Sequence, residues 1–294
     1  MSAMLKGLLS LLALEAVDDH QFRGASVDLG FRQLFGGQAL GQALSAAIQT
    51  VDSERLAHSM HGYFLRPGDP KQPVFYEVEP VRDGGSFSTR RVVASQQEGA
   101  PIFFASVSFQ KPEQGYVHQQ SMPDVPAPED VPSQLDYLKE TVGDKLPKGF
   151  LARFSFKPPV EVRQVPHQWL PDGTAEPRQY IWIRASGAMP DDVAAHQRLL
   201  AWMSDISLLA TALLPHGITV WDKSLQISSL DHALWFHQPP RLDQWLLYAM
   251  DSPWTGKGRG FTRGQYFNQE GVLVAEVAQE GLMRQRKDWA SLGY

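Results

Sequence analysis

The same order of elements is written twice along this chain, and that repetition limits its fold more than any other feature. In the first copy, a strand over residues 22–29 precedes a helix over 37–51. That helix sets Leu40, Leu44, Ala47, Ile48 and Val51 at helical spacing. Extended segments follow at 58–66, 73–81, 87–95 and 101–110, separated by the turn signals Arg66-Pro-Gly-Asp, Asp83-Gly-Gly and Glu98-Gly. In the second copy, a strand at 178–186 precedes a helix at 194–214, opened by Pro190-Asp-Asp. Then come segments 225–236, 244–252, 261–268 and 272–283. Gln97-Glu-Gly is echoed by Gln269-Glu-Gly, and Phe87-Ser-Thr-Arg by Phe261-Thr-Arg. A strand, a helix and a four-strand antiparallel meander, repeated, read as an internal duplication.

The copies are divided by a proline-rich stretch that includes Pro112, Pro123, Pro126, Pro128, Pro132, Pro147 and Pro158. Proline removes backbone donors and interrupts helices and central strands. The expected organisation is therefore a repeat over 1–112, a linker over 113–158 with a short helix at 134–141, and a repeat over 159–294. A long helix beside a curved antiparallel sheet buries one face of each. Gly36, Gly37, Ala39, Gly41, Ala43, Ala46 and Ala47 keep the first helix thin, so a sheet can wrap it closely. The class is α+β, and the arrangement is a double hot-dog: two repeats of a long helix wrapped by a curved antiparallel sheet.

Composition closes off other classes. A net charge of −5 argues against nucleic acid as the main partner, because phosphate binding wants a basic surface. The absence of cysteine removes disulfides, thiolate catalysis and cysteine-held metals, and is compatible with a cytoplasmic protein. Residues 1–15 are leucine-rich, but Glu15, Asp18 and Asp19 follow at once, so an amphipathic helix is expected rather than a signal sequence. No run of about 20 apolar residues exists to span a membrane. There is no Gly-x-Ser-x-Gly, no His-Glu-x-x-His and no P-loop. Gly256-Lys-Gly-Arg-Gly imitates a phosphate loop but links two strands, so it reads as a hairpin turn. His58 and His61, three apart on a strand, are expected on opposite faces, as are His232 and His237, so neither pair reads as a metal site.

Three polar residues carry most of the chemical interest. Asp205 falls at the edge of the apolar face of the second helix, beside Trp202 and Leu209. A carboxylate there is partly desolvated, which suits either a base or a helix-flank ion pair. Ser229 lies in the following strand, where alternation puts it on the face of Ile227 and Asp231. Gln279 interrupts a run of small and apolar residues in the last strand, and a buried amide must satisfy both of its ends. Together they can activate water: the carboxylate takes a proton while hydroxyl and amide hold the water in line. The helix start at Phe35-Gly-Gly-Gln, with Gly37, is a candidate donor to an oxyanion.

Longer motifs sharpen this. Phe35-Gly-Gly-Gln, His58-Ser-Met-His-Gly-Tyr-Phe-Leu-Arg-Pro-Gly-Asp, Ser204-Asp, Leu230-Asp-His-Ala-Leu-Trp-Phe-His and Val277-Ala-Gln-Glu-Gly-Leu-Met-Arg resemble the acyl-CoA thioesterase II family. The resemblance runs from Leu5 to about Arg286 and is weakest across the linker. It implies hydrolysis of fatty acyl-CoA over a broad range of chains, no cofactor, and a homo-oligomer. It places an aspartate, a hydroxyl residue and a glutamine on Asp205, Ser229 and Gln279, with serine where many bacterial relatives have threonine. His58 is a further substrate-side candidate, and Arg90, Arg91, Arg263 and Arg286 are candidates for the CoA phosphates. Two rivals remain: a hot-dog enoyl-CoA hydratase, disfavoured because the adjacent Asp231 and His232 point apart, and a non-catalytic acyl-CoA binder.

Overall fold

The computed structural model of the protein describes residues 2–30, 33–96, 99–141 and 158–285. Gln97 and Glu98 of the Gln97-Glu-Gly turn, part of the linker and Arg286 lie outside them. Helix α1 (Ala3–Leu12) is capped by the Ser2 hydroxyl, which accepts from Leu5 N–H, and it buries Leu5, Leu8 and Leu12. Two short strands follow, β1 (Glu15–Ala16) and β2 (Gln21–Gly24), then the buried helix α2 (Gly36–Ile48). Strand β2 stops well short of residue 29. Beyond it, the carbonyl of Ala25 is taken by Gln42 from α2. The first meander is β3 (Leu56–Phe64), β4 (Val74–Asp83), β5 (Phe87–Ser95) and β6 (Phe103–Gln110).

After helix α3 (Gln134–Thr141) come β7 (Val160–Gln164), β8 (Arg178–Ala185) and helix α4 (Val193–Met203). Asp192 caps α4 by accepting from the Ala194 and Ala195 N–H groups. The second meander is β9 (Leu225–Ser229), β10 (Asp231–Phe236), β11 (Leu246–Gly256), β12 (Arg259–Asn268) and β13 (Leu273–Gln285). Lys257 and Gly258 both have positive φ and turn β11 into β12, so the phosphate-loop lookalike is a hairpin turn.

All strands join one antiparallel sheet in the order β1-β2-β4-β5-β6-β3-β10-β13-β12-β11-β8-β7, with β9 added to β13. The two meanders run toward each other and meet at β3 and β10. Helices α2 and α4 lie against each other inside the sheet, and α1 touches both. The small residues of α2 serve this helix contact as well as the sheet. A Cβ on Gly37 would lie 2.3 Å from the Trp202 carbonyl, and one on Gly41 would lie 3.0 Å from the Arg198 carbonyl. The main apolar core therefore joins both copies, with Leu40, Leu44 and Val92 from one and Leu199, Leu200 and Tyr248 from the other.

Two elements depart from expectation, and both departures shape the site. The helix expected through residue 214 ends at Met203. The chain turns through Ser207 at φ 62° and resumes as a 3₁₀ helix at Leu209–His216. The freed carbonyls are satisfied: Tyr248 donates to Ser204 O and Gln179 to Ser207 O. The strand expected over 225–236 is broken at Leu230. Ser229 lies opposite Gly281 and Ala233 opposite Ala278, so four steps on one strand match three on the other. This is a β-bulge, with Leu230 and Asp231 both facing Glu280. Leu230 N–H donates to the Glu280 carbonyl, and the Asp231 side chain accepts from the Glu280 N–H left over.

Candidate active site

The break after α4, the bulge between β9 and β10, strand β13 and the start of α2 converge where the two copies meet. At the break, Asp205 turns back toward α2 and accepts from Gly37 N–H at 3.0 Å. Ser229 ends β9 and reaches Asp205 through its hydroxyl at 3.5 Å, the loosest contact of the group. Gln279 on β13 donates to the Ser229 hydroxyl at 2.9 Å. Its own carbonyl faces His232 Nδ1 at 2.5 Å, and the other ring nitrogen lies 2.8 Å from the Ser204 hydroxyl. Asp205, Ser229 and Gln279 are thus brought together, with His232 behind them.

Burial decides the electrostatics. Gln279 and His232 are each 1% exposed, whereas Asp205 keeps part of its surface in solvent. Loss of water around Asp205 pushes its pKa above the usual carboxylate range. The nearby His232 and the bonds from Gly37, Gln279 and Ser229 oppose that shift without cancelling it. Burial pushes His232 below the usual imidazole range, against the pull of Asp205, and so favours the neutral ring. A carboxylate of raised pKa beside a hydroxyl and an amide can accept a proton from water near neutral pH. Among the described residues there is no cluster of metal-ligating side chains.

The remaining candidates lie elsewhere. Gly37 N–H holds Asp205 instead of standing open for an oxyanion. His58 occupies a bulge of β3 between Ala57 and Ser59, which turns it to the outer sheet face with His61 instead of away from it. There it bonds Ser108 and packs edge-on against Phe87, with the sheet between it and the helices. Arg90 is 3% exposed and spent internally on Thr50, Arg82 O and Asp83, where it anchors the end of α2. Arg263 is paired with Asp251 and Arg91 with Glu79. His232 was legible as an inward residue, since it shares the alternation of Leu234 and Phe236. Strict alternation, however, separates it from Ser229, and only the bulge puts the two on one side.

This geometry can be set beside known proteins. The family model for acyl-CoA thioesterase matches residues 151–282, and that for the acyl-CoA thioesterase N-terminal domain matches 7–110. Acyl-CoA thioesterase 2 of Haemophilus influenzae is 43% identical over 97% of this chain and 99% of its own length. Human acyl-coenzyme A thioesterase 8 is 41% identical over 94% of this chain and 88% of its own length. The crystal structure of an acyl-CoA thioesterase II from Mycobacterium marinum superimposes with a TM-score of 0.77 at 41% identity, covering 94% of this chain and 98% of that one. A helix pair wrapped by a doubled antiparallel sheet is the double hot-dog fold. The chain belongs to the acyl-CoA thioesterase II family and is an acyl-CoA thioester hydrolase.

Proposed function

We propose that this enzyme hydrolyses fatty acyl-CoA to a fatty acid and CoA with water activated by Asp205, Ser229 and Gln279. The convergence of these residues from three separate elements is the observation that supports the reading. Asp205 and Ser229, 3.5 Å apart, present a carboxylate and a hydroxyl side by side, so that one water beside the pair can bond both. Asp205 then takes a proton as the water oxygen attacks the thioester carbonyl carbon. The tetrahedral intermediate collapses, the carbon–sulfur bond breaks, and the proton held on Asp205 passes to the departing thiolate. No covalent enzyme intermediate is needed. His232 has both ring nitrogens engaged within the protein, which argues against its serving a hydratase as an acid facing substrate.

In this reading residues 1–112 and 159–294 are the two repeats, 113–158 joins them, and the chains assemble as dimers or tetramers of double hot-dogs. The test follows thiol release from acyl-CoAs of short, medium and long chain, with the wild type beside Asp205→Asn. Asparagine keeps the shape and cannot take the proton. The expected result is turnover by wild type and a fall in kcat of about 10²–10⁴-fold in a folded variant. Equal turnover by both would remove Asp205 from the chemistry. No turnover on any chain, with binding retained, would favour a non-catalytic binder.

A further inference from the structure

Behind the three residues lies a buried group that the proposed mechanism does not use. His232 is 1% exposed, yet both its nitrogens meet polar side chains. Such a residue can be a core histidine or can govern its neighbours. The hydrogen-bond geometry decides between these, because the Gln279 amide can face two ways.

In the arrangement present, Gln279 Oε1 faces His232 Nδ1 and Gln279 Nε2 faces the Ser229 hydroxyl. Two acceptors cannot face each other at hydrogen-bond distance, so Nδ1 carries the proton. The Ser204 hydroxyl has one proton and two acceptors within reach, the Ala201 carbonyl and His232 Nε2. With the ring proton on Nδ1, Nε2 is an acceptor, and the Ser204 proton is shared between it and the Ala201 carbonyl. Every donor from the ring onward then points the same way: His232 to Gln279, Gln279 to Ser229, and Ser229 to Asp205. If the proton sat on Nε2 instead, the Gln279 amide would turn over to donate to Nδ1. Its carbonyl would then face Ser229, draw the serine proton away from Asp205, and leave the carboxylate without that donor.

We propose that His232 is a positioning residue: protonated on Nδ1, it fixes the orientation of the Gln279 amide and through it the Ser229 hydroxyl, so that both donate toward the Asp205 end of the site. This rests on the Asp205, Ser229 and Gln279 reading above. The surroundings agree with it. Burial favours the neutral ring. The carboxylates nearest to it are Asp205, at the far end of the chain of donors, and Asp231, which is turned away to the Glu280 N–H. The Tyr248 hydroxyl is committed to Ser204 O.

The test separates the two ring nitrogens. Asparagine at 232 places an amide nitrogen where Nδ1 stands, and glutamine places one where Nε2 stands. We expect His232→Gln to lower kcat about ten- to hundredfold with KM changed by less than about twofold, and His232→Asn to recover most of the loss. In a Gln279→Ala background, His232→Gln should cause no further loss, because the residue it acts through is gone. Equal activity of the Asn and Gln variants, or additive losses in the double variant, would overturn the proposal. If Gln279→Ala and Asp205→Asn themselves turn over like wild type, the active-site reading fails first, and the two failures are thereby told apart. Ring ¹⁵N spectra of the intact wild-type enzyme give a check that needs no variant to fold: a proton on His232 Nδ1 is expected, and a bare Nδ1 refutes the assignment.

Discussion

At the scale of single residues, Asp205 carries the clearest prediction. Its pKa lies above the ordinary carboxylate value of 3.8 because the protein displaces water around it. The acid limb of kcat/KM against pH should therefore have its midpoint above that value and should vanish in Asp205→Asn. The sign for stability follows. A carboxyl whose folded pKa is raised contributes stability that is fully present below its unfolded pKa and is lost as pH rises through the folded one. Ionised Asp205 thus weighs against folding at neutral pH. Asp205→Asn, which still accepts from Gly37, should melt at or above the wild-type temperature there and lose that advantage in acid. A neutral-pH melting point well below wild type would contradict this. Asp205 was visible in the sequence as a carboxylate on an apolar helix edge. The helix ends at Met203, two residues before it, so Leu209 is not its neighbour through a helical turn. Arg90 and Arg263 show the opposite failure: a cation in sequence carries no sign of the partner that consumes it.

At the scale of elements, the helix break and the bulge build the site. Ser207 holds a left-handed conformation that costs a non-glycine residue about 1–2 kcal/mol. Ser207→Gly relieves that strain and is expected to raise the melting temperature by about 2 °C, while Ser207→Val should lower it, as a thermal melt will show. The bulge depends on Asp231, whose carboxylate accepts from Glu280 N–H at 2.7 Å. Asp231→Ala leaves that N–H unpaired, at a cost of about 1–3 kcal/mol in denaturant unfolding. It should also lower kcat, since the bulge is what sets Ser229 and His232 on one side. Unchanged kcat in a destabilised Asp231→Ala would detach the bulge from catalysis. Periodicity located most of the strands, but a bulge adds one residue and reverses every face beyond it. That is why Ser229 was assigned to the face of Asp231, and why His58 and His61 were separated.

At the scale of the whole molecule, the two copies share a sheet through β3 and β10 and a core through α2 and α4. They should unfold together. All eight tryptophans lie at or beyond Trp169, so their fluorescence is weighted to the second copy and, through Trp202 on Phe35 and Trp235 on His61, to its junction with the first, whereas circular dichroism reports both copies throughout. Coincident transitions by the two probes are expected, and a separate earlier or later fluorescence transition would mean that the copies melt independently. The Gly37 and Gly41 contacts with the backbone of α4 make this coupling close, because a Cβ at either position meets a carbonyl oxygen.

The chain's own sequence was enough for the α+β class, the duplicated order of helix and meander, the capped start of α4, the hairpin at Lys257-Gly258 and the identity of Asp205, Ser229 and Gln279 as candidates. These depend on periodicity, turn chemistry and residue type, which are local properties. Tertiary structure alone decided that α4 stops at Met203, that Leu230 and Asp231 form a bulge, that Gly37 is spent on Asp205, and that His232 stands behind Gln279. Each of these is settled by a partner far along the chain. A backbone group or a ring nitrogen takes its direction from whichever donor or acceptor the fold brings within about 3 Å, and no local pattern encodes that meeting.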